Sequence, residues 1–340
     1  MKFFRLIYLS IPLLMLSSCY KEDEKIIPHD PGEAKTATIE MMNDYRYQVY
    51  FDLGSGEAVS SNLKKTWDLA FDSSRDGWLI LLNSSNFMLA ARTGTTDFSI
   101  PIDTTGMDFQ FDASSGNMDT LAIGKWVDFD GEDSVKIYTN EVYAIDRGYD
   151  EVGNLRGMRK IVFQEVTDTS YTFRFAYLDG SGENSFTVIK DPEVNYINFS
   201  FDNGGEQLKL EPPKRDWDLL FTQYTTLLYT NEGDPYPYLL TGVLSNPAFV
   251  GVAQDTLYDF SAIDRSIAET MFFTDILDEI GYDWKDVTGD VSSGSVIYVI
   301  VPGLNYVVRD TDGFLFKLRF VGFYDDSGSK GYPTFEYQLL

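Results

Sequence analysis

Two tryptophan–aspartate pairs hold the residues best placed for chemistry. Trp67-Asp68 and Trp217-Asp218 stand 150 residues apart, inside the phrases Thr66-Trp67-Asp68-Leu69-Ala70-Phe71 and Asp216-Trp217-Asp218-Leu219-Leu220-Phe221. Paired carboxylates can hydrolyse glycosides, but with 53 acidic residues in 340 neighbouring acids arise without function. Because Asp68 and Asp218 recur with their tryptophans, they read as turn or cross-strand supports of a repeat rather than catalysts. Histidine narrows the field further: the single one, His29, lies outside the body, so Ser-His-Asp and Cys-His catalysis have no base. A zinc site would need carboxylates alone, which is uncommon. The glycines sit in turns between strands, not before a helix, so no phosphate loop is present. Asp310-Thr311-Asp312-Gly313 lacks the closing glutamate of a calcium loop and reads as a hairpin turn. Met88, Met107, Met118, Met158 and Met271 are soft donors in principle and core fillers by default.

The repeat has a second anchor, Phe51-Asp52 with Gly54 and Phe201-Asp202 with Gly204, which predicts one fold used twice. Alternation of apolar and polar residues dominates, as at Tyr45, Tyr47, Val49 and Phe51 and at Tyr196–Phe201, and predicts strands. The one helical stretch, about 264–280, ends on acidic residues that oppose its macrodipole and should be short or broken. The expected architecture is all-β: two tandem, mostly antiparallel domains over 35–190 and 191–340, with a seam near Pro192. Gly124-Lys125-Trp126 with Tyr138 echoes Gly281-Tyr282-Asp283-Trp284 with Tyr298, and Arg159–Phe163 echoes the basic strand ending at Phe320. Trp67 and Trp217 should superpose and be buried as core.

Residues 1–18 read as a secretory leader, with Lys2 and Arg5 ahead of an apolar run too short to span a bilayer. The run closes on Leu16-Ser17-Ser18-Cys19, which resembles the lipobox of bacterial lipoproteins. Cys19 is the sole cysteine, so disulfides are excluded and an acylated anchor accounts for it. Residues 19–34 form a flexible acidic tether; its cluster Glu22-Asp23-Glu24 resembles an export signal to the outer face of the outer membrane. The net charge of −26 becomes −28 once Lys2 and Arg5 are removed, which argues against nucleic-acid binding.

Lys35–Ile39, Tyr50-Phe51 with Gly56–Val59, and Trp67–Ala70 together resemble the opening of HmuY-like haem-binding lipoproteins. Gly313–Phe320 followed by Gly331–Tyr337 resembles their closing hairpin. The resemblance implies an all-β, non-enzymatic lipoprotein, anchored at the cell surface, that captures haem and delivers it to an outer-membrane receptor. It implies further that Asp103–Met107 and Trp126–Gly131 correspond to the family's ligand-bearing segments. Met107 would then replace a histidine, with Met88 or Met118 as its partner, and no metal would be held otherwise. The alternative kept open by the aromatics and carboxylates is a surface carbohydrate-binding or glycan-processing accessory lipoprotein.

Overall fold

Antiparallel pairing organises everything that the computed structural model describes, residues 31–130, 135–230, 232–290 and 295–340. The leader, Cys19, most of the tether and Gly131 lie outside these residues. The first strands are β1 (Lys35–Thr38), β2 (Tyr47–Asp52) and β3 (Glu57–Leu63). Then come β4 (Leu69–Asp72), β5 (Ile80–Leu82), β6 (Leu89–Arg92), β7 (Val127–Asp130), β8 (Val135–Tyr138), β9 (Val142–Asp146) and β10 (Met158–Val166). These are followed by β11 (Ser170–Ala176), β12 (Asn184–Ile189), β13 (Tyr196–Ser200) and β14 (Glu206–Leu208). The last group is β15 (Leu219–Tyr229), β16 (Pro235–Ser245), β17 (Gly251–Asp255), β18 (Lys285–Asp290), β19 (Ser295–Ile300), β20 (Asn305–Arg309), β21 (Leu315–Tyr324) and β22 (Lys330–Leu339). The helical stretch shrinks to α1, Arg265–Ala268, capped by Asp264, whose carboxylate accepts from the Ile267 N–H at 2.9 Å.

Two β-sandwiches result. In the first, the sheet β14-β13-β4-β5 covers β12-β11-β10-β9-β6 around Leu69, Phe71, Trp126, Phe163, Phe173 and Phe199. In the second, β3-β2-β15-β16 covers β1-β22-β21-β20-β17 around Val49, Phe51, Phe221, Trp284, Phe320 and Phe335. The two strand orders match element for element, with β4 on β15 and β13 on β2, so the Trp-Asp phrases occupy equivalent positions.

The expected division at residue 190 does not follow these cores. Beyond it, β13 pairs with β4 and buries Ile197 and Phe199 in the first sandwich. Before the first phrase, β2 pairs with β15, and Val49 and Phe51 join the second core. The N-terminal strands thus close the sandwich built mainly by the C-terminal half, and Pro31–Leu340 forms one compact unit. Pro192 misled because it lies in a turn within the first sandwich, where the neighbouring Lys190 Nζ donates to the carbonyls of Ser74 (2.9 Å) and Gly77 (2.6 Å).

The repeat's internal register also needs correcting. Asp218 N donates to Phe51 O at 2.9 Å, and Asp68 N donates to Phe199 O at 2.7 Å. Phe51 is therefore the counterpart of Phe199, not of Phe201, and the true partner of Phe201 is Leu53. Other equivalences lie deeper than the phrases. Asn83 Nδ2 donates to Trp67 O (2.9 Å) and Lys64 O (2.7 Å); Asn246 Nδ2 donates to Trp217 O (2.7 Å) and Lys214 O (2.8 Å). Buried Lys160 donates to Phe98 O and Ile100 O, both at 2.8 Å, as Lys317 does to Phe260 O and Ile263 O at 2.9 Å.

The repeated aspartates share one job. Asp68 Oδ2 accepts the Phe201 N–H at 2.8 Å and Asp218 Oδ2 accepts the Leu53 N–H at 2.8 Å, so each carboxylate fixes the end of the neighbouring strand. Their charges are compensated differently. Asp68 meets Arg147 (2.9 Å) and Arg156 (2.9 Å), both guanidinium groups being nearly inaccessible. Asp218 instead accepts the Thr311 N–H at 2.9 Å, beside Asp310. Removing one member of a buried ion pair strands the other and costs about 3–5 kcal/mol. Asp68→Ala should therefore lose that much in urea unfolding, and Asp218→Ala clearly less; equal losses would contradict the distinction.

Candidate functional site

Trp67 and Trp217 do not fill either sandwich core. Alternation along β2 sends Val49 and Phe51 inward and leaves Gln48 and Tyr50 on the outer face, yet both of the latter are buried. The outer faces of the two four-stranded sheets meet, and the tryptophans sit at that seam. Trp217 is buried and lies edge-on to Tyr50, with ring centroids 4.9 Å apart. Trp67 is only partly buried, and its indole N–H donates to Gln48 Oε1 at 2.8 Å. Between them is a cavity of about 140 Å³.

The seam opens at one end into a groove of about 500 Å³, lined by Lys64, Phe87, Tyr149, Glu151, Gln223 and Tyr238 among others. Its walls come from β16 and from the loop after β9. That loop is pinned to the turn Ser84–Asn86 by the Tyr149 N–H donating to Asn86 O at 2.8 Å. Gly148 makes this approach possible: φ is +65°, and an added Cβ would lie 1.9 Å from Asn86 O. Phe87 holds a left-handed φ of 60° at the groove wall, a conformation costing of order 1–3 kcal/mol for a side chain of this kind.

The groove's charges are engaged. Asp44 binds Arg46 through both carboxylate oxygens, and hydrogen bonding by that guanidinium holds Asp44 below the usual carboxylate range. Glu151 Oε1 accepts from Lys65 Nζ at 2.7 Å, while its Oε2 is buried without a hydrogen-bond partner. Asp150 caps its own loop, accepting from Val152 N (3.0 Å) and Asn154 N (2.8 Å). Lys64 donates to Gln223 Oε1 at 2.5 Å, and burial pulls its ammonium down to about 8. The accessible donors are phenols: Tyr149 and Tyr238 keep 45% and 46% of their surface. Sequence reasoning missed this groove because Tyr149 and Tyr238 are 89 residues apart and neither belongs to a motif.

The three methionines stand in different surroundings. Met88 is fully buried in the first core, packed with Leu69 and Ile145, and its sulfur fills that core. Met107 is partly buried in the turn after Thr104, whose carbonyl its N–H meets at 3.2 Å; Met118 is 55% exposed on the turn Met118–Thr120. None of the three lines the seam cavity or the groove. Among the described residues no group of three or more His, Cys, Asp or Glu side chains is placed to hold a metal ion. Asp310–Gly313 is the β20–β21 hairpin turn, closed by Asp310 N donating to Phe314 O at 2.9 Å.

Paired sandwiches with an aromatic seam and a lateral groove define a ligand-accommodating all-β scaffold. The family model described as HmuY protein matches residues 44–337 in a single run through both sandwiches, and the chain belongs to that family. No curated protein matches it. Solved structures that resemble it include apo PinO from Porphyromonas gingivitis, at 12% identity and TM-score 0.29 over 91% of this chain and 97% of that one. The apo HmuY analog TFO of Tannerella forsythia shares 13% identity, with TM-score 0.25 over 92% and 98% of the two chains. A putative HmuY-like heme binding protein from Bacteroides vulgatus shares 19% over 53% and 90%, with TM-score 0.18. Overlaps this loose carry no geometric argument.

Burial sets an unusual pH response. It pushes Asp112 up to about 6, and Asp218 and Glu211 up to about 7. Unfolded carboxyls titrate near about 4, so the folded state binds more protons between about 4 and 7, and stability falls as pH rises across that window. Burial also pulls Lys285 down to about 7 and Lys64 to about 8. Unfolded lysine titrates near about 10.4, so above about 7 the unfolded state binds more protons and stability rises again. Melting temperatures taken from pH 5 to 9 should pass through a minimum near neutrality. Lys285→Met should flatten the alkaline side; a maximum at pH 7 would contradict the assignment.

Proposed function

We propose that this chain is a non-enzymatic capture protein, displayed at the outer membrane through an acylated Cys19, whose groove takes a flat amphipathic ligand of the haem type for hand-over to an outer-membrane receptor. The observation that carries the reading is the groove itself. About 500 Å³ lies within the usual range of small-molecule sites, about 300–1,000 Å³. Its aromatic walls suit a planar ring system. Tyr149 and Tyr238 supply phenol oxygens, a donor type that holds haem iron in some proteins. Membership of the HmuY family and the printed description of the Bacteroides vulgatus protein support haem as the first ligand to try.

Hard phenolate oxygen favours ferric iron, whereas thioether sulfur favours the softer ferrous ion. Titrating lipid-free protein with haem in both oxidation states therefore separates the groove from a methionine site. The groove predicts saturable binding of ferric haem that weakens on adding dithionite. It also predicts loss on Tyr238→Ala or Tyr149→Phe and no change in Met107→Ala. Binding that tightens on reduction and disappears in Met107→Ala or Met118→Ala would move the site to the methionine-bearing turns. Spectra of free haem in both states would remove haem altogether.

A second reading, capture of a surface glycan, has its own observation in the unpartnered Glu151 Oε2 beside Gln223 and the two tyrosines. A carboxylate acceptor and stacking phenols suit sugar hydroxyls and ring faces. A glycan-array signal lost in Glu151→Gln, without haem binding, would select it.

The address rests on the lipobox. Mass spectrometry of membrane-extracted protein should find Cys19 as the acylated N-terminus, and Cys19→Ala should partition into the aqueous phase. A variant still held in the membrane fraction would overturn this part of the proposal.

A further inference from the structure

The cavity in the seam shares one lining residue, Gln223, with the groove. Its lining is dominated by Tyr50, Trp67, Ala70, Trp217, Leu220 and Leu244, drawn from both sandwiches. Several polar groups around it are satisfied within the protein. Gln48 Nε2 donates to Thr222 Oγ1 at 2.9 Å, and Thr222 Oγ1 donates to Gln223 O at 2.8 Å. Glu211 accepts from Tyr196 N (2.9 Å), Asn195 Nδ2 (2.6 Å) and Trp217 Nε1 (3.2 Å). Asn198 differs: it is 5% exposed, it lines the cavity, and its side-chain oxygen is fully buried with no hydrogen-bond partner. Leaving a buried amide oxygen unpaired costs of order 1–3 kcal/mol, so a site retaining one is poised for a donor from outside.

We infer that the seam cavity is a binding site for one small neutral ring bearing a hydroxyl, of the size and character of phenol, held between the tryptophans with its hydroxyl on Asn198. Size sets the ceiling: 140 Å³ is close to the about 150 Å³ apolar cavity that admits benzene, and far below what haem or a disaccharide requires. Charge sets the type. No cation lines this cavity, and its one carboxylate, Glu211, is already filled by N–H donors. A hydroxyl both donates and accepts, so it satisfies Asn198 whichever way the amide is turned. The indoles give the ring two faces to pack on and a built-in optical reporter.

Phenol and benzene are the probes. Phenol should bind saturably, shift the tryptophan emission and the Trp67 and Trp217 indole N–H resonances, and raise the melting temperature. Benzene should bind about tenfold more weakly, the worth of one hydrogen bond. Asn198→Leu should erase the difference between the two probes. Ala70→Leu, which fills the cavity, should abolish binding of both while leaving the circular dichroism and cooperative unfolding intact. Tyr238→Ala, at the groove, should change neither, which keeps this result independent of the haem titration. The inference is overturned if phenol moves neither the indole resonances nor the melting temperature, or if Ala70→Leu binds phenol as wild type does. A crystal structure soaked in phenol that shows only water on Asn198 would also overturn it.

Discussion

Everything in this molecule hangs on a carboxylate buried at the head of a strand. Asp68 and Asp218 each precede the inner strand of a four-stranded sheet and accept an N–H from the strand that pairs with it. An aspartate there is costly to bury, and it is retained because it satisfies backbone donors that no ladder bond can reach at a strand's end. With both carboxylates in place, β13 and β2 are locked onto β4 and β15, and the inward face of each sheet is defined. The second strand comes from far away in sequence, so the carboxylate acts as a long-range clasp.

Duplication supplied two such clasps, and divergence treated them differently. In the first sandwich Arg147 and Arg156 neutralise the acid; in the second, Asp310 occupies the place corresponding to Arg147 and burial drives the carboxyl toward its protonated form. One sandwich therefore relies on ion pairing, which breaks expensively, and the other on backbone N–H donors. The same asymmetry runs through the seam, where Trp67 bonds to a glutamine and Trp217 to a buried glutamate. A pair of related sandwiches packed through diverged faces creates concavities that a single sandwich lacks, and both candidate ligand sites lie along that contact.

Function follows from position more than from reactive groups. The groove combines exposed phenols with a buried lysine and carboxylates engaged by neighbouring groups. Two backbone devices shape its wall, the close approach at Gly148 and the left-handed Phe87. The seam cavity is smaller than the groove and has a more apolar lining.

Strand chemistry, the repeat and the family were legible in the chain, because period-two alternation and repeated phrases are local patterns that survive without a structure. Val49, Phe51, Ile197 and Phe199 point inward as that alternation requires, and Asp310–Gly313 makes the expected turn. What only the tertiary structure decided is pairing between distant segments. The chain's N-terminal strands close its C-terminal sandwich, and Phe51 matches Phe199 rather than the better-looking Phe201. Side-chain patterns record which residues face a core but not which core, since a strand's inward residues suit any apolar partner sheet. For the same reason Trp67 and Trp217 read as core until a second sheet was seen to cover their face. The groove's tyrosines gave no signal at all, because nothing in a sequence marks two residues that become neighbours only after both sandwiches have formed.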